Sequence, residues 1–202
     1  MPILLLRHCQ TDWNRDPARC MGWAEVGLNE TGRAQARERA RALEGRGLEL
    51  IVTSHLLRAR ETAVIVRDEL GGGLPVVADP RLAEAHCGDW EQRLFDDIAE
   101  EDPQDWVRYR EHPGSFRFPG GESLADQQRR VLAALRDVAR DGRAALVVTH
   151  GGGIRLVRAF LSGRGVAGAH DSATRNGDLD EVAADGLAER IAEALAAPAP
   201  GP

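Results

Sequence analysis

Pro2-Ile3-Leu4-Leu5-Leu6-Arg7-His8-Cys9-Gln10-Thr11-Asp12-Trp13-Asn14 is the stretch that decides the fold. Its apolar run has no polar alternation, which is how a parallel strand buried on both faces of an α/β sheet reads. The run stops at Arg7-His8 and gives way to polar, turn-prone residues, so His8 stands at the strand's carboxyl end. Ligands of open α/β sheets bind at that edge, because loops leaving neighbouring strands diverge there and open a crevice. A second stretch repeats the pattern: Ala144-Ala145-Leu146-Val147-Val148 runs into Thr149-His150-Gly151-Gly152-Gly153. If the two strands are neighbours, His8 and His150 converge although they are far apart in the chain.

Outward from these strands, residues 9–26 read as a loop with one helical turn. A helix follows over 32–44, capped by Asn29 or Thr31. Residues 48–53 (LELIVT) give a second strand, and Ser54 reads as the N-cap of a helix reaching Leu70, with Arg58 in its first turns. Residues 75–78 form a short third strand. Next comes an acidic, tryptophan-bearing excursion (Trp90, Trp106, Tyr109, Phe116) with helices over 94–101 and 103–111, read as a cover for the sheet edge and a wall of the substrate pocket. Ser123 caps a long helix to Arg140, with Leu124, Val131, Leu135 and Val138 as its buried stripe. After the glycine turn come a helix over 154–161, a glycine-rich loop over 163–177, an edge strand over 179–183 and a helix over 187–196. Residues 197–202, Ala-Pro-Ala-Pro-Gly-Pro, read as a loose tail.

The chain's 202 residues suit one domain over 1–196, and 43% hydrophobic with 29% charged residues is a globular balance. A net charge of −6 argues against a nucleic-acid binder. All 26 basic residues are arginine, since the sequence contains no lysine. That excludes Schiff-base chemistry with pyridoxal phosphate and a P-loop lysine. Arginine's planar fork suits phosphate oxygens. Cys9, Cys20 and Cys87 form no CxxC pair and leave one thiol over, and neither a signal peptide nor a long apolar span is evident, so a cytoplasmic location is expected. The pairs His8-Cys9 and His86-Cys87 are adjacent rather than spaced for convergence on one ion, so no metal site is expected.

Arg7-His8 with Thr11, Trp13 and Asn14 resembles the RHGxT signature of the histidine phosphatase superfamily, also called phosphoglycerate mutase-like. Further matches follow in order: Gly32-Arg33-Ala34-Gln35-Ala36, the run from Ser54 to Ala63, Leu82-Ala83-Glu84, Gly88-Asp89-Trp90-Glu91, Pro119-Gly120-Gly121-Glu122-Ser123 and Thr149-His150-Gly151-Gly152. The resemblance implies a three-layer αβα sandwich with a mostly parallel central sheet. It implies His8 as nucleophile, Arg7, Arg58 and His150 as hydrogen-bond donors to the phosphate oxygens, Asn14 and the Gly151 N–H as further phosphate contacts, and Glu84 as proton donor to the leaving group and later base toward water, provided burial lifts its pKa toward neutrality. Backbone N–H groups at the start of the Arg58 helix would add to the anion site. Gln10 occupies a slot with a possible role in substrate binding. His86 is a weaker candidate for substrate contact, and His55, Arg60 and His112 read as surface residues.

The reading is therefore a metal-independent, cofactor-free phosphatase acting on a small phosphorylated metabolite through a phosphohistidine, with no nucleic-acid or membrane partner. Relatives are commonly dimers, so a homodimer is the corresponding expectation. The alternatives are a phosphoglycerate mutase-like phosphotransferase and a non-catalytic module that binds a phosphorylated ligand. Mutases of the family carry longer chains with segments that close over the intermediate, so the length here points to hydrolysis. Three positions depart from the pattern. Cys9 replaces a small glycine and would narrow the pocket, Gln92 replaces a glycine after Trp-Glu, and Gly27 stands where proline is common.

Overall fold

In the computed structural model, which describes residues 1–197, five strands form one sheet in the order β3-β2-β4-β1-β5. The strands are β1 (Ile3–Arg7), β2 (Leu50–Thr53), β3 (Val76–Ala78), β4 (Ala145–Thr149) and β5 (Leu179–Val182). β1 runs parallel to β4 in a register that pairs Ile3 with Ala145 and Arg7 with Thr149. β4 is parallel to β2, β2 to β3, and only β5 is antiparallel, on the far edge of β1. His8 and His150 thus leave adjacent strands at the same level, as the two apolar runs predict.

Side chains alternate across a strand, so each uninterrupted apolar run supplies two cores. Ile3, Leu5, Leu50, Val52, Ala145 and Val147 face one layer, packed with Val131, Leu135, Val157 and Ile191. Those partners belong to α5 (Leu124–Asp141), α6 (Gly151–Leu161) and α7 (Leu187–Ala196). Leu4, Leu6, Ile51, Leu146 and Val148 face the other, against Ala40 and Leu43 of α1 (Glu30–Leu43) and Ala59, Ala63 and Val66 of α2 (Leu57–Glu69). The result is the three-layer sandwich. A third cluster at the carboxyl edge joins Cys20, Cys87, Trp90, Ile98, Phe116 and Phe118, flanked by Trp106 and Tyr109. Its helices are α3 (Phe95–Glu101) and α4 (Pro103–Glu111), so the tryptophan-bearing excursion does cover the sheet edge.

Most boundaries shift by one or two residues from the sequence reading, and two shifts bear on the site. α2 begins at Leu57, and the Ser54 hydroxyl caps nothing in it. α6 begins at Gly151, so the three glycines are its first turn rather than a turn preceding it. Asn29 and Ser123 do cap α1 and α5. The tail expectation lies outside the described residues from 198 onward.

Candidate active site

His8 is 1% exposed and its Nδ1 lies 2.8 Å from the carbonyl of Cys9. A carbonyl only accepts, so Nδ1 carries the proton and Nε2 keeps its lone pair. Burial first, then the neighbouring His150, Arg58 and Arg7, push the His8 pKa well below the ordinary 6.5, so the ring is neutral at physiological pH. The Cys9 side chain packs away from the site beside Leu28 and Ala36. The expected narrowing of the pocket by Cys9 is therefore not observed, because the strand's exit directs this side chain into the α1–α2 layer.

The His150 ring stands 5.1 Å from that of His8, centroid to centroid, and Nε2 lies 2.8 Å from the Ser54 hydroxyl. Ser54 Oγ accepts from the Leu56 N–H at 3.3 Å and meets no other acceptor among the described residues, so its own proton goes to His150 Nε2. His150 then carries its proton on Nδ1, a buried atom with no protein partner. Burial and then Arg58 lower this histidine's pKa as well. Ser54 was legible only as a cap, and the structure gives its hydroxyl to the second imidazole instead.

Arg58 is fully buried and donates to the carbonyls of Gly22 at 2.8 Å and Ala24 at 2.9 Å. Arg7 donates to the Thr174 carbonyl at 2.6 Å. The Nε of each is buried without a partner. Buried donors are ordinarily paired, since an unmet one costs about 1–3 kcal/mol, yet Arg7 Nε, Arg58 Nε and His150 Nδ1 have no protein acceptor. Donors gathered at such cost around two neutral imidazoles fit an anion. At the start of α2 the Leu57 N–H is already taken, by the Glu25 carboxylate at 2.8 Å. Gly151 stands at the start of α6, where a Cβ would sit 3.2 Å from the Arg7 guanidinium carbon.

Glu84 sits against the next residue, Gly152, where a Cβ would come within 2.3 Å of Oε1. Its carboxylate accepts from the Gly152 N–H at 3.2 Å, the Ala85 N–H at 3.0 Å and Gln127 Nε2 at 2.8 Å. Burial raises its pKa, but the Arg155 guanidinium and these three donors outweigh it, and the net direction is downward. The expected lift toward neutrality is thus reversed in the free enzyme. The Glu84 main chain is clamped as well. Arg130 donates to the carbonyls of Arg81, Ala83 and Glu84 while paired with Glu122, and Trp23 Nε1 donates to the Glu84 carbonyl at 2.8 Å. Glu122 also accepts the His86 N–H at 2.8 Å.

A cavity of about 210 Å³ adjoins these groups, lined by Arg7, Asn14, Glu84, Gln127, Gly151 and Arg155 together with Phe95, Tyr109 and Phe118, whereas His8, Arg58 and His150 are buried and do not line it. Asn14 Oδ1 accepts from the Thr11 N–H and from Asn176 Nδ2, leaving its amide nitrogen as the free end. Asn176 also donates to the carbonyl of His8, holding the loop behind the nucleophile. Gln10 does not reach the cavity; its amide oxygen accepts from Asn29. His86 does not line the cavity; its ring stands 5.0 Å from that of Trp23. His55 is not the free surface residue expected, since its Nδ1 is buried beside Trp23. Arg60 and His112 are exposed.

Ser54, Gln127, Arg155, Arg130 and Asn176 escaped the sequence reading of the site. Gln127 had a signal: it interrupts the Leu124–Val131 stripe of an amphipathic helix, yet is fully buried.

The fold is shared with proteins of known kind. A phosphoglycerate mutase of the 2,3-bisphosphoglycerate-dependent type from Methylobacterium sp. (strain 4-46) is 34% identical over 168 residues, 80% of each chain. Phosphoserine phosphatase 1 from Hydrogenobacter thermophilus is 31% identical over 163 residues, covering 80% of this chain and 76% of that one. The solved structure of a mycobacterial glucosyl-3-phosphoglycerate phosphatase with VO3 superposes with a TM-score of 0.81 at 31% identity, covering 90% of both chains. Because the mutase aligns over the same share of both chains, chain length does not separate hydrolase from mutase, contrary to the expectation above. The histidine phosphatase superfamily (branch 1) model matches residues 3–194, and the chain belongs to that family.

Proposed function

We propose that the protein is a metal-independent phosphatase that hydrolyses a small-molecule phosphate monoester through a phosphohistidine on His8. The observation that carries this reading is the pair of imidazoles in fixed, complementary tautomers, one with a free lone pair and one with a free N–H, beneath two guanidiniums with unmet donors.

His8 Nε2 attacks phosphorus while the Cys9 carbonyl holds the Nδ1 proton. Phosphoryl transfer asks mainly for positioning and positive charge about the equatorial oxygens. Arg7, Arg58, the His150 Nδ1–H, the Gly151 N–H and the Asn14 amide supply it. Glu84 protonates the departing alkoxide. A phosphate dianion beside Glu84 raises its pKa by like-charge repulsion, so the substrate itself supplies the shift that the free enzyme lacks. Once the alcohol has left, the carboxylate takes a proton from water, whose oxygen attacks phosphorus and breaks the P–N bond. Inorganic phosphate leaves and His8 is neutral again.

Hydrolysis is supported by the phosphatases among the relatives. A mutase reading is favoured by the phosphoglycerate mutase relative and differs only in whether water or a second hydroxyl receives the phosphoryl group. A binding module is disfavoured because both histidines, both arginines and the glutamate are present. The test is phosphate release from p-nitrophenyl phosphate and a panel of sugar, glycerate and cobamide-precursor phosphates, with and without chelator. Release that survives chelation and falls at least about 10⁴-fold in His8→Ala is expected. Label passing to a second substrate molecule instead of water establishes the mutase.

A further inference from the structure

One polar atom beside Arg7 and Gly151 has no part in the reaction above. The chain that precedes β5 folds back along β1: the Arg7 N–H donates to the Asp178 carbonyl at 3.0 Å, and the Gly177 N–H to the Arg7 carbonyl at 3.2 Å. Arg158 of α6 holds the Ala173 carbonyl at 2.8 Å, and Asp178 Oδ2 accepts the Arg175 N–H at 2.6 Å. Thr174 is thus pinned between neighbours fixed on both sides, and its own carbonyl takes Arg7 Nη1 at 2.6 Å. Its hydroxyl oxygen, by contrast, is buried and has no hydrogen-bond partner among the described residues. Buried hydroxyls are ordinarily paired, because the O–H can turn toward any acceptor within reach.

Thr174 Oγ1 lies 3.0 Å from where a Cβ of Gly151 would stand, and Arg7 Nε, also unpartnered, lies 3.2 Å from the same point. Two unmet polar atoms therefore flank the residue whose N–H the proposed reaction gives to phosphate. The acidic side chains nearby are engaged elsewhere: Asp178 on the Arg175 N–H, Asp180 on Arg158 and Glu84 on Gln127, Ala85 and Gly152. The acceptor that suits both atoms is an oxygen of the bound anion itself. We propose that Thr174 is a further catalytic residue, whose O–H donates to a phosphoryl oxygen on the Arg7 and Gly151 side of the transferring group. This rests on the phosphatase reading of the site. The hydroxyl carries no charge, so what it contributes is direction: it holds that oxygen in the plane that in-line attack by His8 requires.

The test compares wild type with Thr174→Val, which removes the hydroxyl at nearly constant shape and keeps the carbonyl that holds Arg7, and with Thr174→Ser, which restores the hydroxyl. On p-nitrophenyl phosphate kcat/KM should fall about 10- to 100-fold in Thr174→Val, the range of one hydrogen bond to a charged group. Binding of inorganic vanadate, measured by calorimetry as a mimic of the transferring group, should weaken by a similar factor. Thr174→Ser should stay close to wild type in both. The urea midpoint of Thr174→Val should hold or rise, since an unmet buried hydroxyl gives way to a methyl group. A Thr174→Val enzyme as active as wild type, a loss shared equally by Thr174→Ser, a loss without weaker vanadate binding, or a lowered urea midpoint overturns the inference. If no ester releases phosphate, the hydrolase reading fails, while vanadate binding weakened in Thr174→Val still upholds the placement of the hydroxyl. Vanadate binding that persists there, or that is absent from wild type, refutes it.

Discussion

The floor of the site and its wall are built on different principles. The floor is the paired ends of β1 and β4, where parallel register alone sets His8 beside His150 and two buried layers hold the strands. The wall is irregular chain, residues 79–92, whose Glu84 is placed by side chains reaching from elsewhere: Arg130, Glu122, Gln127 and Trp23. A floor fixed by backbone pairing tolerates no choice about its chemistry. A wall fixed by side chains can change its ligand without disturbing the sheet.

The difference predicts that damage to the floor is indifferent to substrate. His150→Ala removes a donor aimed at the phosphoryl group and should lower kcat about 10²- to 10³-fold on every ester of the panel. A loss confined to some esters would break the distinction.

Stability should also respond to pH through the floor. Burial lowers both histidine pKa values, with each ring's charged neighbours adding to it. The unfolded chain, with ordinary values near 6.5, therefore takes up these protons first as pH falls. The contribution of the neutral rings is complete above that value and is lost below it, by up to about 1.4 kcal/mol per histidine per pH unit. Urea unfolding between neutral and mildly acidic pH should show this slope, and a shallower one in His150→Ala.

Wall substitutions should act on proton transfer instead. Gln127→Leu withdraws a hydrogen bond from the ionised Glu84, whose pKa must rise; a charged hydrogen bond of about 1.5–3 kcal/mol corresponds to roughly one to two units. The acid limb of kcat should move up by that much and the rate at neutral pH fall about tenfold or less, with His8 chemistry intact. An unmoved limb would detach Gln127 from Glu84.

The smallest effect lies at the far end of the wall, away from Glu84. Gln92, where the family resemblance led to an expected glycine, keeps a glycine's backbone at φ 72°, the only non-glycine residue with positive φ among the described residues. Gln92→Gly should stabilise by about 0.5–1 kcal/mol, since the left-handed penalty outweighs the added freedom of the unfolded chain, and should leave kcat unchanged.

How much was legible in the sequence follows the same division. The floor could be read, because continuous apolar runs ending in histidine carry strand, burial and placement together, and β1 and β4 came out neighbours in register. Arg58 and Glu84 were found through ordered motifs, but the protonation of Glu84 was expected in the wrong direction: Arg155 and Gln127 lie on helices remote in sequence, and nothing local announces their charge or hydrogen bond. Ser54 was read as a cap since serine at a strand exit suits either role; only the pairing of β2 with β4 brings it to His150. Asn176, in a glycine-rich loop without periodicity, had no signal until the loop folded back onto His8.

The central claim is that the His8 imidazole, neutral and with its outer nitrogen unencumbered, takes the phosphoryl group itself. Rapid acid-free quenching of the enzyme during turnover of a labelled ester, followed by peptide mapping, tests it directly. Acid-labile label on the peptide holding His8 is predicted. Turnover with no label on the protein, or label on any other residue, would contradict it.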